Sequence, residues 1–338
     1  NLGFIGNTSH SEHEYAARVA QHIGADHHPL MVQPGDVISA FDQWVDIYDE
    51  PFGDQAALPT MLLSRLTRQH VTVALSGEGA DEVFAGYSNY GKRIKEAKTA
   101  ARLGHPLSPL PLINPLLPAA LRKDRLIKAA ARPLRRRYTT IPNHFDRELH
   151  KGILNPALTG QTSVPLEMLA EEAYANCQAT GYLDKLLTID QKLWLPDDLL
   201  TKVDRATMAY SLEARVPYLD HKLVEFAARL PANMKLHGRD TKHLLKKVAE
   251  RYLPRDIVYR GKQGFVMPLH EWLAGGLSAS LTDMLGDGGL GGRNIFRSGF
   301  LDKLQREQAT PKQPHGGRLW TLMVLELWFR RYAPDFKL

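Results

Sequence analysis

Apolar and polar positions along this chain follow two periods, one suited to strands and one to helices. Residues 1–5 are a short apolar run and a strand candidate. Residues 11–23, SEHEYAARVAQHI, follow with helical spacing. Ser11 can cap that helix, Glu14 stands three residues later, and Gly24 can end it. Residues 27–32 read as a strand. Its adjacent His27 and His28 would face opposite sides and cannot jointly clamp a metal. Residues 36–48 predict a helix with Val37, Phe41, Trp44 and Tyr48 on one apolar face. A loop bearing Pro51 and Gly53 leads to a helix over 59–69. Then comes VTVAL, residues 71–75, a β-branched apolar run long enough for a buried strand. Strand, helix, strand, helix, helix, strand is the order of a parallel sheet with helices packed against it, an α/β fold.

Beyond this region the period is helical. From Lys92 to about Thr188 it is interrupted by a proline-rich span, residues 105–118, and carries no catalytic constellation. It reads as an insertion packed on the sheet domain. Residues 195–220 alternate charge densely around Leu199, Leu200, Val203, Met208 and Leu212. On a helix Asp198, Lys202 and Arg205 would share a face at spacings of three and four, as in a salt-bridged structural helix. RLWTLMVLELWFRR, residues 318–331, predicts an amphipathic core helix too short to span a membrane. The expected organisation is an α/β nucleotide-binding core over 1–92, a helical insertion over 93–190, and a helical part over 191–338 that completes a substrate site.

Composition narrows the class. Of the 338 residues, 43% are hydrophobic and 24% charged, as in globular proteins, and no apolar run reaches membrane-spanning length. The single cysteine, Cys177, excludes a disulfide framework and a cysteine-rich metal site, and its helical context predicts a buried, inert thiol. Together these point to a cytoplasmic protein. Part of the net charge of +6 sits in RKDRLIKAAARPLRRR, residues 122–137. No aromatic residues interleave that run to stack on bases, so it reads as a solvated helix face, and neither nucleic acid nor membrane is expected as a partner.

The candidate chemistry lies where VTVAL breaks at Ser76-Gly77-Glu78-Gly79. Two glycines let the backbone turn sharply and lie against a ligand, and residues 80–85 read as the first turns of a helix. A strand, a glycine-rich turn and a helix start aim backbone N–H groups at an anion. Glu78, Asp81 and Glu82 share the turn, and carboxylates beside a phosphate site imply Mg²⁺ between them. An ordinary strand–helix connection that carries acids would look the same. Lys242 and Lys262 stand in basic surroundings, TKHLLKK and RGKQGF, and suit phosphate, although most lysines are only surface residues.

SGEGADEVFAGY, residues 76–87, resembles the second signature of the synthetase domain of glutamine-dependent asparagine synthetases. DEPFGDQAALPT, LPDDLLTKVDRATMAYSLEARVPYLDH, TKHLLKK, RGKQGF and GRLWTLMVLELWFRR agree in the same order and extend the resemblance over nearly the whole chain. The family's S-G-G-x-D-S pyrophosphate loop does not occur in the 338 residues, and NLGFIG resembles the strand that follows it. The expectation is a piece of a larger enzyme, without the glutaminase domain and inactive alone. Loss of an interior strand would also leave an exposed edge and favour self-association, as homodimers or aggregates.

The resemblance implies a PP-loop ATPase type of sheet and a ligase reaction. ATP with Mg²⁺ adenylates a carboxylate, most often that of aspartate. Ammonia from glutamine then displaces AMP to form the amide. It implies that the backbone of Ser76, Gly77, Glu78 and Gly79 lies along the nucleotide, that Leu2 borders adenine, and that Asp81 holds Mg²⁺. Lys242, and with it Lys262, would offset the charge of departing pyrophosphate. Glu78 would be the general base for the incoming nitrogen, and the helix and loop over 195–220 would border the acyl-substrate pocket. Related readings are a β-lactam synthetase-like enzyme with another acyl substrate, a tRNA-modifying PP-loop ATPase, and a non-catalytic ATP-binding protein.

Overall fold

The first and second strand candidates form, but each is only three residues long. In the computed structural model, which describes residues 1–5, 12–103, 145, 152–158, 166–261, 267–308 and 315–338, β1 (Leu2–Phe4) pairs in parallel with β2 (Leu30–Val32). The crossover between them carries the helix His13–Ile23, as parallel pairing requires. Gly24 ends that helix in the left-handed region, at φ +67°, and its N–H reaches back to the carbonyls of Ala20 and Gln21. Ser11 lies outside the described residues. The capping position is held by Glu12, whose side chain makes no capping bond.

The VTVAL run becomes β3 (Val73–Leu75). Its partner is β4 (Glu213–Arg215), also parallel, with Val73 beside Glu213 and Leu75 beside Arg215. Two two-stranded parallel sheets therefore stand among the described residues. The β3 strand is not buried as its composition predicts. Val73 and Leu75 face outward, Leu75 at 75% exposure, and Glu213 and Arg215 are exposed beside them. Side chains alternate along a strand, so only Ala74 and Ala214 turn the other way.

The principal core lies against β1 and β2. Val37, Phe41, Trp44 and Tyr48 are all buried, as their spacing predicts, but two helices share them, Pro34–Ser39 and Phe41–Tyr48. Ala40 breaks the run at φ −101°, ψ −3°. Trp44 packs on Trp320 with centroids 4.9 Å apart, Tyr48 stacks on Phe52 at 4.7 Å, and Phe4 meets Trp272 edge-on at 5.6 Å. The last helix, Gly316–Tyr332, departs from a simple amphipathic pattern. The helices Phe41–Tyr48, Leu269–Ala274, Ser278–Leu285 and Phe300–Gln308 all pack against it, which buries even Glu326. That carboxylate accepts two bonds from Arg293, at 2.7 and 3.1 Å, and one from Arg330 at 3.0 Å.

Two smaller clusters hold the segment after β3. Val83 and Phe84 pack with Ala227, Tyr218 and Leu223. Ala85 and Tyr90 pack with Leu183, Leu186 and Ile189, on the helix Tyr182–Lys192. Cys177 is free and half-buried just beyond the helix Leu166–Ala175, where a buried thiol within a helix was expected. The proline-rich span and the basic run over 122–137 lie outside the described residues. No described helix is long and apolar enough to cross a membrane.

Candidate functional site

The turn after β3 is built by the ladder and by one glycine. Ser76 N–H donates to the Arg215 carbonyl at 2.8 Å and so extends the β3–β4 pairing into the turn. Glu78 N–H reaches the Ser76 hydroxyl at a long 3.4 Å. Gly79 sits at φ +82°, and a Cβ there would lie 2.2 Å from Leu219 Cδ2. Backbone conformation and space thus both require glycine at 79. The helix it opens, Ala80–Phe84, is only five residues long and is ended by Ala85 at φ +57°. A helix this short has little macrodipole, so the charge of the site comes from side chains.

The first of these are Asp81 and Lys242. The Lys242 ammonium lies 3.1 Å from Asp81 Oδ2, and both side chains are about one quarter exposed. Lys242 adopts a left-handed backbone, φ +50°, which is uncommon for a residue with a side chain. Gly86 makes room for the pair. A Cβ at 86 would stand 1.8 Å from Asp81 Oδ1 and 2.3 Å from Lys242 Cε. Behind the pair, Glu82 is buried. It accepts a short hydrogen bond from the Tyr87 hydroxyl, and its carbonyl accepts from Gln191 Nε2 at 2.9 Å. Tyr87 in turn stacks on Trp194 at 4.9 Å.

A second charged group centres on Lys202. The Lys202 ammonium donates to Asp54 Oδ2 at 2.8 Å, and Lys202 is only 6% exposed. Asp54 Oδ1 accepts from Ala56 N–H at 2.9 Å. Asp198 accepts from Trp194 Nε1 at 2.6 Å. Burial pushes the Glu78 carboxyl above its ordinary range, with Lys202 and Lys242 pulling it down and Asp54 and Asp81 pushing it up. Burial and the neighbouring Asp54 push Asp198 up to about 6. Burial works against the Lys202 ammonium, but Asp54, Glu78 and Asp198 more than offset it and hold its pKa above the usual lysine value.

Local geometry explains how this segment delivers Lys202. Leu195–Leu200 is π-helical and the α-helix Thr201–Met208 follows without a break. Single π-turns inserted in helices recur at functional sites. Lys202 and Arg205 form salt bridges, as expected of this helix, but to the DEPFGD loop and not along the helix's own face. Lys202 turns inward to Asp54, and Arg205 reaches Asp49 at 2.9 Å and the Tyr48 carbonyl at 2.9 Å. The DEPFGD loop is thus tied to this helix at both ends.

Of the residues named from sequence, the structure brings Ser76, Gly77, Glu78, Gly79, Asp81 and Lys242 to one turn. Leu2 belongs to the other sheet and its side chain is in the principal core. Lys262 lies outside the described residues. Asp54 and Gly86 have no role from sequence, and Lys202 only that of a salt-bridged helix residue bordering the acyl-substrate pocket, although each stands within a stretch that carries the resemblance. Burial of an ion pair leaves no signature in residue order. Magnesium shared with nucleotide phosphates needs only one or two protein carboxylates. Asp81 fits that requirement, and among the described residues no group of three His, Cys, Asp or Glu side chains forms an all-protein cage.

The family model described as asparagine synthase matches residues 1–330. Over 96% of its length the chain is 28% identical to asparagine synthetase [glutamine-hydrolyzing] 1 of Bacillus subtilis, covering 51% of that protein. It is 33% identical, over 94% of its length, to a putative asparagine synthetase [glutamine-hydrolyzing] of Mycobacterium bovis, covering 48% of it. Amidase chyE of Penicillium rubens is 23% identical over 91% of the chain. The chain spans about half the length of these relatives.

Proposed function

Because the chain belongs to the asparagine synthase family, we propose that it forms the synthetase part of a glutamine-dependent amidotransferase, with a PP-loop ATPase type of core. The substrate is a carboxylic acid, aspartate by this reading, and the product its amide, asparagine. A carboxylate is a poor electrophile, so activation must come first. A carboxylate oxygen attacks the α-phosphorus of ATP, pyrophosphate leaves, and an acyl-adenylate forms. Ammonia, released from glutamine in a separate glutaminase domain, attacks the acyl carbon, and AMP leaves.

The observation that carries this reading is the Asp81–Lys242 pair, 3.1 Å apart at the end of a glycine turn, with Glu78 in the same turn. Asp81 would hold Mg²⁺ together with the phosphates, and the ion, when bound, neutralises phosphate charge. The Lys242 ammonium, released from Asp81, faces the departing pyrophosphate, with Lys262 as a second cation. The backbone from Ser76 to Gly79 lies along the nucleotide. Glu78 removes the proton from the attacking nitrogen. Its carboxyl, raised first of all by burial, is a better base than an exposed glutamate.

Rapid-quench measurement of AMP-ester and amide in the longer enzyme proposed above, with ammonia in place of glutamine, tests these roles. Asp81→Asn and Lys242→Ala should each slow AMP-ester formation by roughly 100- to 1000-fold. Glu78→Gln should leave AMP-ester formation intact and slow amide formation by roughly 100-fold or more. Parallel decline of both steps in Glu78→Gln would remove the base assignment. Absence of any AMP-ester from ATP and aspartate would remove aspartate as the substrate.

A further inference from the structure

The Lys242 ammonium reaches Asp81 from a backbone that a residue with a side chain seldom adopts, φ +50° and ψ +35°. Such a conformation persists only where the surrounding structure over-determines it. The segments on either side of Lys242 do so. Before it, the backbones of His237 and Asp240 exchange N–H···O bonds, each 2.9 Å, and close a tight turn through Gly238 at φ +63°. After it runs the helix His243–Ala249, seated by Leu245 on the cluster of Val83, Phe84 and Ala227. Val83 and Phe84 belong to the short helix that carries Asp81.

Asp240 joins the turn to the helix. One carboxylate oxygen lies 2.6 Å from His243 Nδ1, and the other accepts from the Lys246 ammonium at 2.7 Å. Lys246 in turn donates its backbone N–H to the Lys242 carbonyl at 2.8 Å. The rings of His237 and His243 stack across the same gap, with centroids 5.0 Å apart. Residue 242 is therefore enclosed by contacts that run from Asp240 to Lys246 and back to its own carbonyl. Burial pushes the Asp240 carboxyl up, but the bonds from Lys246 and His243 more than offset it and hold it below its ordinary range. Both oxygens thus remain acceptors. The reaction steps above leave Asp240, His243 and Lys246 unused.

We propose that Asp240 is a positioning residue for Lys242: its carboxylate clasps His243 and Lys246 and so holds residue 242 in the left-handed conformation from which the ammonium reaches Asp81. The kinetic consequence rests on the reading of Lys242 as the cation that faces pyrophosphate. The physical content is the backbone conformation of residue 242, which is measured without turnover.

The 338-residue chain is prepared with protonated ¹⁵N-lysine in a deuterated background, and the Lys242 amide is assigned with Lys242→Arg. A left-handed residue brings its own amide and α protons closer together than a helical or extended one, so their NMR cross-peak is strong. Asp240→Ala should weaken that cross-peak about twofold or more, as residue 242 relaxes toward the ordinary regions. Lys246→Met keeps the Asp240 charge and the N–H that bonds the Lys242 carbonyl, and removes one arm of the clasp. It should act in the same direction, and it decides alone if Asp240→Ala does not fold. An unchanged cross-peak in either folded variant overturns the proposal. In the longer enzyme, Asp240→Ala should slow AMP-ester formation by about 10-fold or more, but by less than about threefold when Lys242 is already alanine. A merely structural role predicts equal slowing in both backgrounds, and that result would overturn the proposal as well. If Lys242→Ala by itself leaves AMP-ester formation unchanged, the reading of Lys242 fails, and the cross-peak still decides the clasp.

Discussion

Gly86 is a glycine because other side chains occupy the space a Cβ would take. Those neighbours are the ends of two side chains, Asp81 Oδ1 and Lys242 Cε, which can move aside. Gly86→Ala should therefore cost little stability, under about 1 kcal/mol, while displacing the pair. AMP-ester formation should fall on the order of 100-fold. Gly79→Ala differs, since φ +82° and Leu219 both oppose it, and it should lower stability by roughly 1–3 kcal/mol in urea denaturation. Asp198 gives a prediction with a pH signature. Burial first, and then Asp54, push it up to about 6, so the folded protein binds that proton more tightly than the unfolded chain. Its ionisation costs nothing below about pH 4, costs progressively more through pH 6, and costs most above that. Asp198→Asn can still accept from Trp194. It should stabilise the protein by up to roughly 3 kcal/mol at pH 8, and the gain should vanish near pH 4. Thermal melts of both proteins across that range check it, and a constant difference would refute it.

At the scale of elements, the last helix behaves as the centre of the principal core. Glu326, fully buried, has Arg293 and Arg330 as partners, and Arg293 also donates to the carbonyls of Pro334 and Phe336, which ties down the chain after the helix. Glu326→Ala would strand a buried guanidinium and should cost roughly 3–5 kcal/mol. Arg331, on the same helix, pairs with Asp46 in the open, and Arg331→Ala should cost under about 1 kcal/mol. Chemical denaturation of the two variants side by side measures the contrast. Equal effects would mean that the helix is not embedded as described. The segment from Leu195 to Met208 makes the complementary point. Its sequence reads as a salt-bridged structural helix, and its π-helical start and inward-turning Lys202 direct one of those salt bridges to Asp54.

At the scale of the molecule, one face of the β3–β4 sheet carries Val73 and Leu75 outward, and Val71 two residues earlier in the same run is exposed as well. An exposed β-branched run on a short, two-stranded sheet favours pairing with another chain. Concentration-dependent association should be visible by light scattering at micromolar protein, and Leu75→Lys should reduce it. Association unaffected by that change would point to another surface. Val71, Val73 and Leu75 also mark a limit of reading composition. A run suited to a buried strand became an exposed one, because burial depends on what covers the strand and not on the strand itself.

The sequence by itself determined the order of elements at the start of the chain, the apolar set Val37, Phe41, Trp44 and Tyr48, the Gly24 stop, and the family. These depend on periodicity, on the φ preference of glycine and on ordered motifs, all of which are local. It also marked Glu78, Asp81 and Lys242 as residues to watch. Only the tertiary structure decided that Asp81 and Lys242 meet at 3.1 Å across 161 residues, that Gly86 clears the space for them, and that Lys202 is buried against Asp54. It likewise decided that β3 pairs with β4 and that Glu326 lies inside the core. Those outcomes depend on which distant surfaces exclude water from one another. Charge and shape at long sequence separation are set by packing, and a charged residue reads the same in the chain whether it ends in solvent or beside its counter-ion.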